Sequence, residues 1–141
     1  MEKKILLVDD EKDIRDVLNL TLTDMGYEVL EAEDGEEALR VFQEARPPII
    51  LTDIKMPNMD GMTALKEIKK NFPLIEVIML TGHATVETGI EGMKMGAFDY
   101  LMKPCDMDQL IEKVNEAAMR KRSHEEKIME ARMKAITLRR P

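Results

Sequence analysis

The sequence has little cysteine and no long apolar run. Its single cysteine, Cys105, rules out an intramolecular disulfide. The longest clean apolar runs, Ile5-Leu6-Leu7-Val8 and Val77-Ile78-Met79-Leu80, are four residues each. That is far short of the roughly 18–20 residues of a membrane span, and short of a signal-peptide h-region. No internal repeat or low-complexity tract is visible. What remains is a chain of 141 residues, enough for one domain with a short appendage and a core that needs no metal or disulfide staple. The expectation is a soluble, cytoplasmic globular protein.

Charge is abundant but uneven. The formal net charge is −7. Residues 1–119 hold thirteen Lys/Arg against twenty-five Asp/Glu, a net of −12, while residues 120–141 hold eight against three, a net of +5. The shift predicts an acidic domain over 1–119 and a basic helical extension or linker over 120–141. The acidic excess argues against non-specific nucleic-acid binding by the chain as a whole.

Apolar periodicity alternates along the chain. Residues 5–8 form a short β-compatible run ending in Asp9-Asp10-Glu11. Ile14, Val17, Leu18, Thr21, Leu22 and Met25 then follow helical spacing, with Gly26 placed to stop the helix. Residues 27–31 read as a second strand, and Asp34 as the N-cap of a helix carrying Ala38, Leu39, Phe42 and Ala45, broken by Pro47-Pro48. Residues 49–52 read as a third strand ending in Asp53, followed by a turn-rich loop over 57–61 and a helix spaced by Leu65, Ile68 and Phe72. Residues 75–80 and 98–102 read as the fourth and fifth strands, separated by a helix spaced by Val86, Ile90, Met93 and Ala97. A fifth helix carries Met107, Leu110, Ile111, Val114 and Ala118. Five strand–helix units with continuous apolar strands predict an α/β, doubly wound, five-stranded parallel sheet buried on both faces.

The polar residues gather at strand ends. Strands one, three, four and five end in Asp9/Asp10, Asp53, Thr81 and Lys103. Open α/β sheets bind ligands outside the carboxyl ends of their strands, at the topological switch point. In the order 2-1-3-4-5 that point lies between strands one and three, where the aspartates would meet. Converging carboxylates repel one another and call for a cation; an all-oxygen set suits Mg²⁺. A carboxylate, a hard cation, an ammonium and a hydroxyl together equip a site for phosphoryl transfer, with one carboxylate as nucleophile. Taken alone, each residue has a plainer reading: Asp10, Glu11 and Asp34 as helix caps or first-turn acids, Thr81 as a locally bonded hydroxyl, Lys103 as a solvated side chain. Their joint placement favours the site.

The sequence resembles the receiver domain of bacterial two-component response regulators. The resemblance rests on residues 5–11 (ILLVDDE), 51–61 (LTDIKMPNMDG), 77–84 (VIMLTGHA) and 96–104 (GAFDYLMKP), and covers about 3–119. Within that family it is most like receivers of the nitrogen-regulation, sigma-54 activator type. The resemblance implies a flavodoxin-like sheet of order 2-1-3-4-5 and, for matched positions, roles. Asp53 is then the phospho-acceptor, attacking the phosphohistidine of a sensor histidine kinase. Asp10 and Asp53, with the backbone carbonyl of Lys55, are implied Mg²⁺ ligands, and Asp9 acts through a metal-bound water. Lys103 pairs with the phosphoryl group, or with Asp53 in its absence; Thr81 swings toward the phosphoryl oxygen and Tyr100 rotates with it. A cis Lys103-Pro104 peptide is implied too. His83, two residues after Thr81, and Lys55, two after Asp53, occupy positions that tune the lifetime of the aspartyl phosphate. Such a protein is a signalling switch acting only on its own phosphorylation, with an upstream kinase and a downstream partner or effector domain.

Past residue 119 no proline or glycine stops the fifth helix before Pro141, so it is expected to extend. Ile128, Ala131, Ala135 and Leu138 form an apolar stripe too short for a coiled coil on its own. A homodimer through helix four, strand five and helix five, or through this extension, is one expectation; direct DNA binding is not, since no helix-turn-helix follows. Two alternatives stand beside the switch. An aspartate-nucleophile, Mg²⁺-dependent phosphatase shares the residue types but needs an acid where Lys55 stands, and a degenerate receiver would act only as an interaction module. A flavin module of the same topology is disfavoured by the acidic first loop, which repels phosphate.

Overall fold

The computed structural model describes residues 3–53, 61–82 and 86–138. Ten elements alternate in chain order: β1 (Lys4–Val8), α1 (Lys12–Asp24), β2 (Glu28–Ala32), α2 (Gly35–Ala45), β3 (Ile49–Thr52), α3 (Gly61–Asn71), β4 (Glu76–Thr81), α4 (Val86–Lys94), β5 (Asp99–Met102) and α5 (Met107–Leu138). All four strand pairings are parallel, and the order is β2-β1-β3-β4-β5, as the resemblance implied.

The central strands β3 and β4 are buried along their whole length, and β1 from Ile5 onward. Successive side chains alternate between two cores. Leu6, Val8, Ile50, Val77 and Met79 face Ala38, Phe42, Leu65 and Ile68 of α2 and α3. Ile5, Leu7, Ile49, Leu51, Ile78 and Leu80 face Leu18 and Leu22 of α1 and Leu110, Val114 and Ala117 of α5. Helices thus cover both faces, which is why the central strands carry no polar alternation.

Several boundaries move by a residue from the periodic reading, for backbone reasons. At the end of α1, Gly26 has φ +93°; its N–H bonds to Thr23 O and the Tyr27 N–H to Leu22 O. This Schellman closure uses the Tyr27 donor, so β2 starts at Glu28. Ile75 likewise gives its N–H to Phe72 O, and the Glu76 N–H goes to Pro48 O, so β4 starts at Glu76. The expected place of Ala97 on the helical stripe is corrected. Gly96, at φ +101°, ends α4 with the same motif, and Ala97 lies past it, buried in the core.

Asp34 is the cap that the sequence indicated: its Oδ1 accepts the Glu37 N–H at 2.9 Å. Helix α5 buries Leu110, Val114, Ala117 and Lys121 in turn. Beyond these, residues 125–138 are all exposed, including Ile128, Met129, Met133, Ile136 and Leu138. Among the described residues no helix is long and apolar enough to cross a membrane.

Candidate functional site

The parallel ladder carries past the strand ends and sets the site. The Asp9 N–H donates to Ala32 O at 3.1 Å, the Asp53 N–H to Val8 O at 3.0 Å, and the Lys103 N–H to Thr81 O at 2.9 Å. Each functional residue is therefore the first one beyond its strand, held by one more backbone bond at the carboxyl edge. Asp9 and Asp53 are buried and Asp10 is exposed. One carboxylate oxygen from each of the three lies within 4.8 Å of the others.

Lys103 reaches this cluster from β5 across the switch point. Its ammonium donates to Asp53 Oδ2 at 3.0 Å and makes a short contact with Asp9 Oδ2. Burial pulls its pKa down, but the hydrogen bonds to Asp9 and Asp53 outweigh that and leave it above the ordinary lysine value. The other Asp9 oxygen, Oδ1, accepts the Glu11 N–H at 2.9 Å, turning the chain into α1. The acids thus stand at the positive end of a helix dipole.

Formal charge sums to −3 from the aspartates and +1 from Lys103. The residual −2 and the hard oxygen donors fit a divalent cation: the Asp9, Asp10 and Asp53 cluster is one that can chelate such an ion.

Of the remaining expected residues, Thr81 ends β4 fully buried, opposite Met102 in the ladder. Tyr100 of β5 pairs with Met79 of β4 and is partly buried; a Cβ on Gly89 of α4 would lie 3.7 Å from its ring. Tyr100 is thus at the α4–β5 junction, with β4 between its strand and the one that ends in Asp53. The Lys103-Pro104 peptide is cis. Lys55 and His83 lie outside the described residues. Burial raises the Cys105 pKa and keeps the thiol protonated, in keeping with its lack of a redox partner.

The periodic reading missed Arg15. It shares the buried face of α1 with Leu18 and Leu22, while Val17, counted in the apolar stripe, is 56% exposed. Its spacing of three and seven from those leucines was the available signal, hidden by its charge.

A doubly wound sheet with an acidic, lysine-bridged crevice at its switch point defines the broad class, and comparison with known proteins narrows it. The family model for the response regulator receiver domain matches residues 5–115. The regulatory protein AtoC of Escherichia coli is 43% identical over 107 residues, 76% of this chain and 23% of that one. The DNA-binding transcriptional regulator NtrC of Klebsiella pneumoniae is 40% identical over 111 residues, 79% of this chain and 24% of that one. A receiver domain protein from Clostridium thermocellum, of known crystal structure, superposes with a TM-score of 0.80 at 43% identity, covering 84% of this chain and 96% of that one. The chain belongs to the response regulator receiver family of two-component systems, closely related to regulators of the NtrC and AtoC type. It spans about a quarter of the length of those curated relatives. Receivers are signalling switches whose chemistry is confined to their own phosphorylation and dephosphorylation, and the acidic pocket found here is typical of the phospho-accepting, Mg²⁺-binding members.

Proposed function

We propose that Asp53 accepts a phosphoryl group from the phosphohistidine of a sensor kinase in a Mg²⁺-dependent reaction, and that the resulting change of charge switches the domain's partner surface. One observation carries the reading: Asp9, Asp10 and Asp53 bring their carboxylates together at the switch point, and the Lys103 ammonium bridges Asp9 and Asp53 there. An Asp53 carboxylate oxygen attacks phosphorus, the phosphorus–nitrogen bond to the histidine breaks with its electron pair going to the ring, and an acyl phosphate forms. Asp10, Asp53 and the Lys55 carbonyl would hold Mg²⁺ directly and Asp9 through a metal-bound water, and the ion would supply the charge neutralisation that lets an anionic donor approach.

The other roles follow from position. Lys103, already on Asp53, exchanges that carboxylate oxygen for a phosphoryl oxygen without leaving the crevice. Thr81, whose carbonyl holds the Lys103 N–H, turns its hydroxyl to the same group. Tyr100 then moves at the α4–β5 junction, and His83 adjusts how fast water removes the phosphoryl group. An apolar groove of about 550 Å³ opens beside Lys103, lined by Ile14, Val17, Pro104, Cys105 and Met107, and offers the kinase a seat next to the acceptor.

Downstream, the exposed Ile90, Met93 and Met102 around α4 and β5, and the apolar residues on the α5 extension, are surfaces for an effector or a second copy of the chain. A cytoplasmic location accompanies this reading, since the donor kinase presents its phosphohistidine there.

The test is incubation with acetyl phosphate and Mg²⁺, read by intact mass. The expected result is a gain of one phosphoryl group that vanishes in Asp53→Asn and on chelation of the metal. A wild-type protein that gains none in the presence of Mg²⁺ would leave the degenerate, interaction-only receiver as the better reading.

A further inference from the structure

The crevice is braced from behind by a residue with no part in the phosphoryl chemistry. Arg15 on α1 is 7% exposed, and among the described residues it is the only buried arginine. A guanidinium is buried at a cost unless its donors are taken. Here Nη1 donates to the Asp9 backbone oxygen at 2.6 Å, a fully buried bond. Nε donates to Glu31 Oε1 at 3.0 Å, and Nη2 stands 3.6 Å from Glu33 Oε1. Asn19 Nδ2 steadies the other Glu31 oxygen at 3.1 Å. One planar fork therefore joins α1, the turn after β1 and the end of β2.

Asp9 is tied at all four of its polar atoms: its N–H to Ala32, its carbonyl to Arg15, Oδ1 to the Glu11 N–H and Oδ2 to Lys103. The carbonyl bond has a particular effect. It holds the plane of the peptide joining Asp9 to Asp10, and with it the direction in which both side chains leave the backbone.

We propose that Arg15 is a positioning residue for the acidic crevice: by capturing the Asp9 carbonyl it fixes the Asp9–Asp10 peptide so that both carboxylates face one divalent cation. This rests on the crevice being a cation site, as read above. It also makes a prediction whose sign separates it from simple electrostatics. Arg15 carries a positive charge near the cluster, and its removal leaves Glu31 and Glu33 unbalanced. Coulomb interaction alone therefore predicts tighter cation binding without it. Loss of positioning predicts weaker binding.

The experiment is calorimetric titration of Mg²⁺ into the full chain and into Arg15→Met, with thermal melts of both. The dissociation constant should rise at least tenfold in the variant, the usual scale for losing a group that orients a metal ligand. Phosphoryl uptake from acetyl phosphate should fall at limiting Mg²⁺ and recover when Mg²⁺ saturates, a split that a purely structural role does not produce. Arg15→Lys keeps the charge but loses the fork, and it stands in if the methionine variant does not fold. It should shift the constant in the same direction by less, where electrostatics alone predicts no change. Equal or tighter Mg²⁺ binding in these variants, with only the melting temperature lowered, overturns the proposal and leaves the function intact. A wild-type chain that takes up no Mg²⁺ overturns both.

Discussion

The two ends of the sheet each bury carboxylate charge, and they treat it differently. At the amino end, Glu76 opens β4 at 1% exposure and is met by Arg120 of α5, with Nη2 on Oε1 at 2.9 Å and Nε on Oε2. The same guanidinium lies 4.6 Å from the Phe98 ring centroid. Lys69 stands nearby, its pKa lowered by burial, giving hydrogen bonds to Pro73 O at 2.6 Å and Ile75 O at 2.9 Å. Both Glu76 oxygens are bonded, and cations equal or outnumber the anion. At the carboxyl end, three aspartates gather, two of them, Asp9 and Asp53, sharing Lys103. The lesson is about completion. A buried acid with a bidentate partner is a finished piece of structure, whereas three carboxylates gathered round one ammonium leave a place for a further cation.

Breaking each end should bring out the contrast. The largest effect is expected for Arg120→Met, which strands Glu76 in the core and should cost about 3 kcal/mol in urea unfolding. The loss should be the same with and without Mg²⁺, because the cation has no access to that end; recovery on adding Mg²⁺ would abolish the distinction drawn here. Lys103→Met should cost about 2 kcal/mol in metal-free protein, for the charge-assisted bonds it removes. Most of that should return at saturating Mg²⁺, since a divalent ion can neutralise the same carboxylates. If Mg²⁺ restores nothing, the crevice is as closed a structure as the other end.

The smallest effect is in alkaline stability. The folded pKa of Lys103 lies above its unfolded value, so the stability it contributes is full below about pH 10.4 and is lost as pH rises through the folded value. Lys69 has the opposite sign: its lowered pKa withholds stability at neutral pH and returns it as the pH rises. Subtracting Lys103→Met from wild type across that range isolates the first term. A difference that stays flat above pH 10 would mean that the ion pairs do not hold the proton in solution.

Which of these features could be read from sequence depended on the range over which each is made. Strands, helix stops and the Asp34 cap arise from neighbours a few residues apart, and Gly26 and Asp34 do what their residue types suggest. Asp9, Asp53 and Lys103 could be placed because each follows directly on an apolar run, and the strand order supplied by the family resemblance then brought them together. The Glu76–Arg120 pair could not be read this way. Its partners are 44 residues apart, Glu76 breaks an apolar run and looks like a strand-end acid, and Arg120 sits in a stretch that reads as solvated. Arg15 was obscured for a related reason: amphipathic patterning assigns charge to solvent, and only the Asp9 carbonyl, made available by the turn after β1, makes its burial favourable.

The length of α5 has a mechanical consequence. Leu138 lies 18 residues beyond Arg120, whose guanidinium ties the helix to β4, and an α-helix rises about 1.5 Å per residue, so the far end stands roughly 27 Å from that joint. A tilt of only about 10° at the Glu76 joint would sweep the far end through about 5 Å, more than the distance across a hydrogen bond, by the same helical rise. The Glu76–Arg120 clamp is in effect a fulcrum. Rearrangements of ångström size in the packing of α5 on the sheet become displacements at the far end large enough to make or break a contact.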